Sequence, residues 1–161
     1  MELFAIENQQ NRLPYDGCAH YYGPIITQLE ADNYFNILMS QINWEYDEAI
    51  IFGKRIITKR KVAWYGDSPY SYTYSKVTKH ALPWTPTLKV IKALIEEKAK
   101  AEFNSCLLNL YHSGSEGMGW HSDGEKELVK HGVIASMSFG AERKFAFKHN
   151  RTKETVSIFL Q

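Results

Sequence analysis

Two stretches of the chain carry apolar residues at helical spacing. Most of the remainder is apolar in short, strand-length blocks. Thr27-Gln-Leu-Glu30 has the form of a capping box, and Leu29, Phe35, Ile37 and Leu38 follow as an apolar stripe, so a helix is predicted over 28–41. Thr85-Pro86 sets a capping hydroxyl before a proline at the first helical position. Leu88, Ile91, Leu94 and Ile95 then give the 3.6-residue period of a second helix over 86–99. The other blocks are rich in aromatic and β-branched residues and are separated by Gly, Asn, Asp and Lys. They predict strands at 49–57, 60–65, 70–76, 103–111, 117–123, 133–139, 143–148 and 155–160. Strands fill the second half with no helix between them, which favours an antiparallel sandwich or barrel over a doubly wound sheet. No internal repeat or low-complexity segment interrupts the pattern.

Composition narrows this picture only a little. The 161 residues suffice for one domain with a sizeable core, and 44% hydrophobic with 23% charged residues fits an ordinary soluble globular protein. No apolar stretch is long enough to span a bilayer. The first residues, MELFAIENQQNRLPYD, lack the basic and apolar regions of a signal peptide. Cys18 and Cys106 lie far apart with no CxxC, which argues against a thiolate metal site and fits a reducing compartment. The net charge of +1 is uninformative, but Lys54-Arg55-Ile-Ile-Thr-Lys59-Arg60-Lys61 packs five cations into eight residues. Such a run is either a solvated edge strand, where Lys guards against aggregation, or a phosphate-binding strip.

The candidate chemistry centres on His121-Ser-Asp123, inside Tyr111-His-Ser-Gly-Ser-Glu-Gly-Met-Gly-Trp-His-Ser-Asp-Gly-Glu125. On a strand, residues two apart share a face. One imidazole and one carboxylate on one face are two of the three ligands of the 2-His-1-carboxylate triad, which holds non-heme Fe(II) and leaves positions open for oxygen. The pattern HxD alone is common. Asn109 and Tyr111 share a face in the same way and offer neutral donors to a carboxylate. So do Tyr72 and Tyr74, which could also be cross-strand tyrosines packing on a sheet.

From about residue 51 the chain resembles the AlkB family of iron- and 2-oxoglutarate-dependent nucleic-acid dealkylases, with greatest similarity to the branch acting on double-stranded DNA. The matching segments run in order: Phe52-Gly53-Lys54, Arg60-Lys61, Trp64-Tyr65-Gly66-Asp67, Tyr72-Thr73-Tyr74-Ser75, Pro83-Trp84, Phe103-Asn104, Asn109-Leu110-Tyr111, His121-Ser122-Asp123 with Glu125, and Ile134 to Phe147. The resemblance implies a mainly β fold with supporting helices, a double-stranded β-helix of jelly-roll type. It implies a single domain over 1–161, with 1–50 an N-terminal extension, 51–84 a nucleotide-recognition region and 103–161 the β-helix core. It implies His121 and Asp123 as iron ligands, Asn109 and Tyr111 as 2-oxoglutarate contacts, and Tyr72, Tyr74 and Glu125 as base-recognition residues for a base flipped out of the duplex. Phe52, preceding Gly53, would be a wedge that fills the gap left by the base, and Lys54, Arg60 and Lys61 would hold the backbone.

The implied activity is oxidative dealkylation of N-alkylated bases in DNA, with Fe(II) and 2-oxoglutarate as cofactors and O2 as co-substrate. Two alternatives remain open at this point. One is the same chemistry on RNA or single strands, the other a non-catalytic nucleic-acid-binding remnant. The second arises because the family pattern requires a distal His roughly 50–60 residues after HxD and Arg residues on a last strand to grip 2-oxoglutarate. That spacing passes Gln161. Downstream of Asp123 the histidines are His131 and His149 and the arginines Arg143 and Arg151, none at a matching position. The expectation is therefore a fold truncated at its C-terminus and inactive in its 161-residue form. The complete domain is expected to be a monomer without membrane association, cytoplasmic in a bacterium or nuclear in a eukaryote.

Overall fold

A computed structural model describes residues 10–51, 54–74, 77–124 and 128–161; at 49–51, 72–74 and 77–78 it describes the backbone alone. The order of elements is α1 Gln28–Gln41, β1 Glu45–Ile51, β2 Lys54–Gly66, β3 Ser71–Tyr74, β4 Val77–His80, β5 Leu82–Pro83, α2 Pro86–Ala99, β6 Ser105–Leu110, β7 Arg143–Lys148 and β8 Thr155–Leu160. The architecture is mainly sheet with two supporting helices. The chain divides into two compact units, residues 37–137 and residues 1–36 with 138–161.

Within residues 37–137 the long strand β2 organises everything else. β1 pairs antiparallel with it from Glu45↔Val62 to Ile51↔Lys54. β6 pairs antiparallel with its second half, from Lys61↔Leu110 to Gly66↔Ser105. β5 adds a short parallel contact at Tyr65↔Leu82. β2 is thus bonded on both flanks at residues 61–62 and 65–66. A strand held on both flanks is well placed for burial, and Val62, Ala63 and Tyr65 are buried, as are Leu38, Ile42, Ala81, Leu88 and Ile91. β3 and β4 form a separate hairpin, Ser71↔His80 to Tyr74↔Val77.

α2 forms as its sequence dictates. Thr85 caps it, its hydroxyl accepting the Leu88 N–H at 3.2 Å. Pro86 opens the first turn, Leu88 and Ile91 face the core, and Lys100 ends the helix in the left-handed region at φ 53°. A polar network then fixes α2 to the β2 end. Trp84 donates Nε1–H to Asp67 at 2.7 Å, Lys92 reaches the same carboxylate at 3.3 Å, and the Asp67 N–H bonds the Asn104 carbonyl at 2.9 Å. Gly66 is required here, because a Cβ would stand 2.8 Å from the Tyr70 ring.

In the other unit, β7 and β8 form a two-stranded hairpin, Arg143↔Leu160 to Lys148↔Thr155. The α1 capping box is formed in both directions. Glu30 accepts the Thr27 N–H at 2.9 Å, and the Thr27 hydroxyl accepts the Glu30 N–H at 3.3 Å. Tyr34 meets Phe139 edge-on at 6.2 Å between ring centres. Gly140, at φ 91°, lies so close to Phe35 that a Cβ would stand 3.2 Å from its ring.

Several boundaries differ from expectation. Residues 54–66 are one strand rather than parts of two, and a preceding strand begins at Glu45. The expected strand at 70–76 is the first arm of a hairpin whose second arm, 77–80, the pattern did not predict. Segments 117–123 and 133–139 are not strands. The first is interrupted by Gly117 and Gly119. The second is apolar and extended in character, but Val133 and Ile134 are 58% and 63% exposed, and neither segment has a ladder partner among the described residues. Leu29, placed on the apolar stripe of α1, is 80% exposed, whereas Leu38 is buried. Among the described residues no helix is long and apolar enough to cross a membrane.

Candidate metal centre and nucleic-acid interface

Strand β6 ends at Leu110, and a turn follows at once. The backbone N–H of His112 donates to the Glu116 carboxylate at 2.9 Å, and the His112 ring Nδ1 lies 3.1 Å from the same oxygen. That backbone hydrogen bond is the main reason the Glu116 carboxyl is held below the usual carboxylate range, with burial working the other way. The turn passes the chain into Gly117-Met-Gly-Trp-His121, which has no regular structure.

His121 and Asp123 do meet, although not by the expected route. No strand carries them; the irregular backbone brings His121 Nε2 to 3.4 Å from Asp123 Oδ1. The other ring nitrogen, Nδ1, lies 2.9 Å from the Gly119 carbonyl oxygen. A carbonyl can only accept, so Nδ1 carries the proton and Nε2 of the neutral ring presents a lone pair. The separation of that nitrogen from the carboxylate oxygen is also close to the spacing of two ligands on one metal ion. Two donors each roughly 2.1 Å from one metal, at right angles, lie roughly 3 Å apart. A backbone carbonyl that fixes the far N–H is also the usual support of a metal-bound histidine. The pair therefore fits as two ligands of one divalent ion. Among the described residues no group of three His, Cys, Asp or Glu side chains converges.

The remaining candidates divide by position. Asn109 lies on β6 opposite Val62, exposed, and Tyr111 follows just beyond the strand, half-buried. Tyr72 and Tyr74 lie on β3, paired with Lys79 and Val77. Phe52, Gly53 and Glu125 lie outside the described residues. Lys54 is exposed at the start of β2. Lys61 sits over the Tyr46 ring at 5.0 Å from its centre.

Arg60 is placed differently from a surface cation. Its side chain is 11% exposed, and Nη2 donates to Asp47 Oδ2 at 2.6 Å. Lys79 from β4 holds the other oxygen of the same carboxylate at 2.5 Å. Burial works to raise the Asp47 carboxyl, but the hydrogen bonds from Lys79 and Arg60 outweigh it and the group lies below its ordinary value. Arg55 makes a two-pronged pair with Glu48, with Nε to Oε2 at 2.8 Å. Strand β1 thus supplies an acidic and aromatic partner for much of the basic run. Sequence reasoning missed Asp47 and Glu48, although Glu45-Tyr-Asp-Glu48 lies directly before the basic strand and would face it in any hairpin. It also missed Glu116 and the Gly119 carbonyl. A small cleft of about 210 Å³ lies beside these groups, lined by Thr58, Lys59, Arg60, Ser115, Glu116 and Gly117.

Comparison with known proteins decides the family. The model of the 2OG-Fe(II) oxygenase superfamily matches residues 17–161. The chain belongs to the 2OG-Fe(II) oxygenase superfamily. Within it the chain is of the AlkB type. It is 34% identical over 151 residues to the Mus musculus protein named DNA oxidative demethylase ALKBH2, covering 89% of this chain and 63% of that one. It is 40% identical over 120 residues to the Bos taurus alpha-ketoglutarate-dependent dioxygenase alkB homolog 3, covering 74% of this chain and 41% of the relative. The Homo sapiens ALKBH2 is 35% identical over 136 residues, covering 82% and 52%. The chain therefore spans about half the length of the curated relatives it matches. Fe(II) and 2-oxoglutarate, with O2 as co-substrate, are the cofactors this 2OG-Fe(II) oxygenase family implies. The exposed, paired donors His121 and Asp123 are the described residues whose chemistry suits the metal.

Proposed function

We propose that this AlkB-type oxygenase dealkylates N-alkylated bases in DNA, double-stranded DNA by preference, on a double-stranded β-helix. The observation that carries the reading is the His121–Asp123 pair, with Nε2 and Oδ1 facing each other at 3.4 Å and the far imidazole N–H held by the Gly119 carbonyl. Similarity to proteins named DNA oxidative demethylase supports DNA as the substrate.

In this reading His121 Nε2 and Asp123 hold the metal, and the Gly119 carbonyl, by taking the Nδ1–H, fixes the ring orientation that turns Nε2 toward Asp123. Asn109 and Tyr111 orient 2-oxoglutarate through neutral donors. Bound there, Fe(II) and 2-oxoglutarate supply O2-dependent hydroxylation of an alkyl carbon, with 2-oxoglutarate leaving as succinate and CO2. The N–CH2OH product then breaks its C–N bond, returning the base N–H and releasing formaldehyde from a methyl group. Tyr72 and Tyr74 stack the extruded base, Glu125 reads its edge, Phe52, beside Gly53, fills the gap in the duplex, and Lys54 serves the backbone side.

The test is succinate formation with alkylated duplex DNA by the full-length protein. His121→Ala and Asp123→Ala should each lower turnover by at least ~10³-fold, since each removes one of few protein ligands. Undiminished turnover in both variants would refute the assignment. Phe52→Ala should reduce the preference for duplex over single strands.

A further inference from the structure

We propose that Asp47 is a positioning residue for the metal pair, acting through Arg60 and Met118; the proposal rests on the reading of His121 and Asp123 given above. The starting point is the register between β1 and β2. Tyr46 faces Lys61 and Glu48 faces Ile57, so Asp47 alone stands opposite Thr58, Lys59 and Arg60. Such a bulge bends a strand and re-aims a side chain. The Thr58 hydroxyl closes it by donating to the Arg60 carbonyl at 3.1 Å.

The re-aimed Arg60 runs inward and links two parts of the fold. At one end Nη2 is held by Asp47, whose second oxygen is taken by Lys79. At the other end Nη1 points at the Met118 sulfur, 2.7 Å away. The buried Nε has no hydrogen-bond partner among the described residues, so these two contacts alone orient the guanidinium there.

Met118 is the residue that needs a tether. It lies between Gly117 and Gly119, and at both glycines a Cβ would find nothing within 4 Å. Two glycines supply no side chains to anchor the backbone on either side of Met118, and the segment carries no strand ladder among the described residues. The next carbonyl along, that of Gly119, accepts the His121 Nδ1–H. The contacts therefore run without a gap from Asp47 through Arg60 to Met118, across one peptide to Gly119, and from there to the imidazole that faces Asp123. Asp47 and Arg60 touch no ligand in this scheme. They set where the carbonyl stands that aims the ring.

The experiment is a titration of the metal-free full-length protein with Co(II), followed by its visible absorption, which reports both affinity and ligand geometry without turnover. Asp47→Ala and Met118→Ala should each weaken Co(II) binding roughly 2- to 30-fold, the range found for couplings carried through packed networks, and should alter the band shape. Asp47→Ala leaves Arg60 without its carboxylate and can fail to fold for that reason alone. Asp47→Ala/Arg60→Met removes the buried cation as well, and it too should bind Co(II) more weakly than wild type. Wild-type affinity and spectrum in the double variant or in Met118→Ala would overturn the proposal, leaving the network as simple charge neutralisation. His121→Ala serves as reference. If it binds Co(II) as tightly as wild type, the metal-pair reading falls and this one with it. If it loses binding while Met118→Ala does not, only the role of Asp47 falls.

Discussion

At the scale of single residues, environment decides what each polar group can do. His121 acts as a ligand candidate because a carbonyl occupies its far nitrogen, and Arg60 is withheld from solvent because a carboxylate occupies its fork. The two cysteines make the same point in a form that is simple to measure. Cys18 is exposed, while Cys106 sits in β6 beside the β2 core, where burial pushes its thiol up to about 12. The thiolate is the reactive form, so Cys106 should be inert at neutral and mildly alkaline pH. Alkylation of the native protein is expected to modify Cys18 alone, and both cysteines only after denaturation. Equal labelling of Cys106 in the native protein would contradict its placement in a closed strand pair.

At the scale of elements, each helix is specified by local chemistry and the strands only partly so. Thr85 and Pro86 start α2, and Thr27 with Glu30 starts α1. These signals are complete within four residues, which is why both helices were legible from the sequence to their ends. Thr85→Ala should cost about 1 kcal/mol of stability through the lost cap on the Leu88 N–H, read as a lowered midpoint in denaturant at unchanged slope. An unchanged midpoint would mean that Pro86 and the Trp84–Asp67–Lys92 network hold the helix start unaided. Strands need partners, and a partner is not a local property. The apolar run 133–139 satisfies every local criterion and yet pairs with nothing described, while Glu45-Tyr-Asp-Glu48, too acidic to read as a strand, pairs with residues 57–62 of β2. The site was legible to the same degree. His121 and Asp123 stood out by type and spacing together with the family resemblance, but the Gly119 carbonyl that aims the His121 ring is a contact that no spacing rule contains.

At the scale of the whole molecule, the distribution of charge overrides its local density. Five cations in eight residues look like a phosphate strip, but β1 lies against them, so that Arg55 is paired with Glu48, Arg60 with Asp47, and Lys61 lies on Tyr46. Asp47 also gives the fold an acid limit. Its carboxyl is held below the ordinary carboxylate value, so its contribution is fully present above that value and is lost as pH falls through the lowered one. The thermal midpoint of Asp47→Asn should therefore fall less steeply with acidification than that of wild type, and parallel curves would show that the Arg60 and Lys79 contacts carry no net stability. The cations left for nucleic acid are Lys54 and Lys59, both exposed and in no ion pair among the described residues. Each phosphate contact contributes about 0.9 to the log–log slope of binding against salt. Lys54→Ala with Lys59→Ala should accordingly flatten that slope by about two units on duplex DNA without lowering the thermal midpoint. Arg60→Ala should do the reverse, lowering the midpoint because it leaves a partly buried carboxylate with Lys79 alone, and leaving the slope nearly as it was. A flattened slope in Arg60→Ala with an unaffected double-lysine variant would mean that DNA draws Arg60 away from Asp47, and that the pair in the free protein is a resting arrangement rather than a fixed strut.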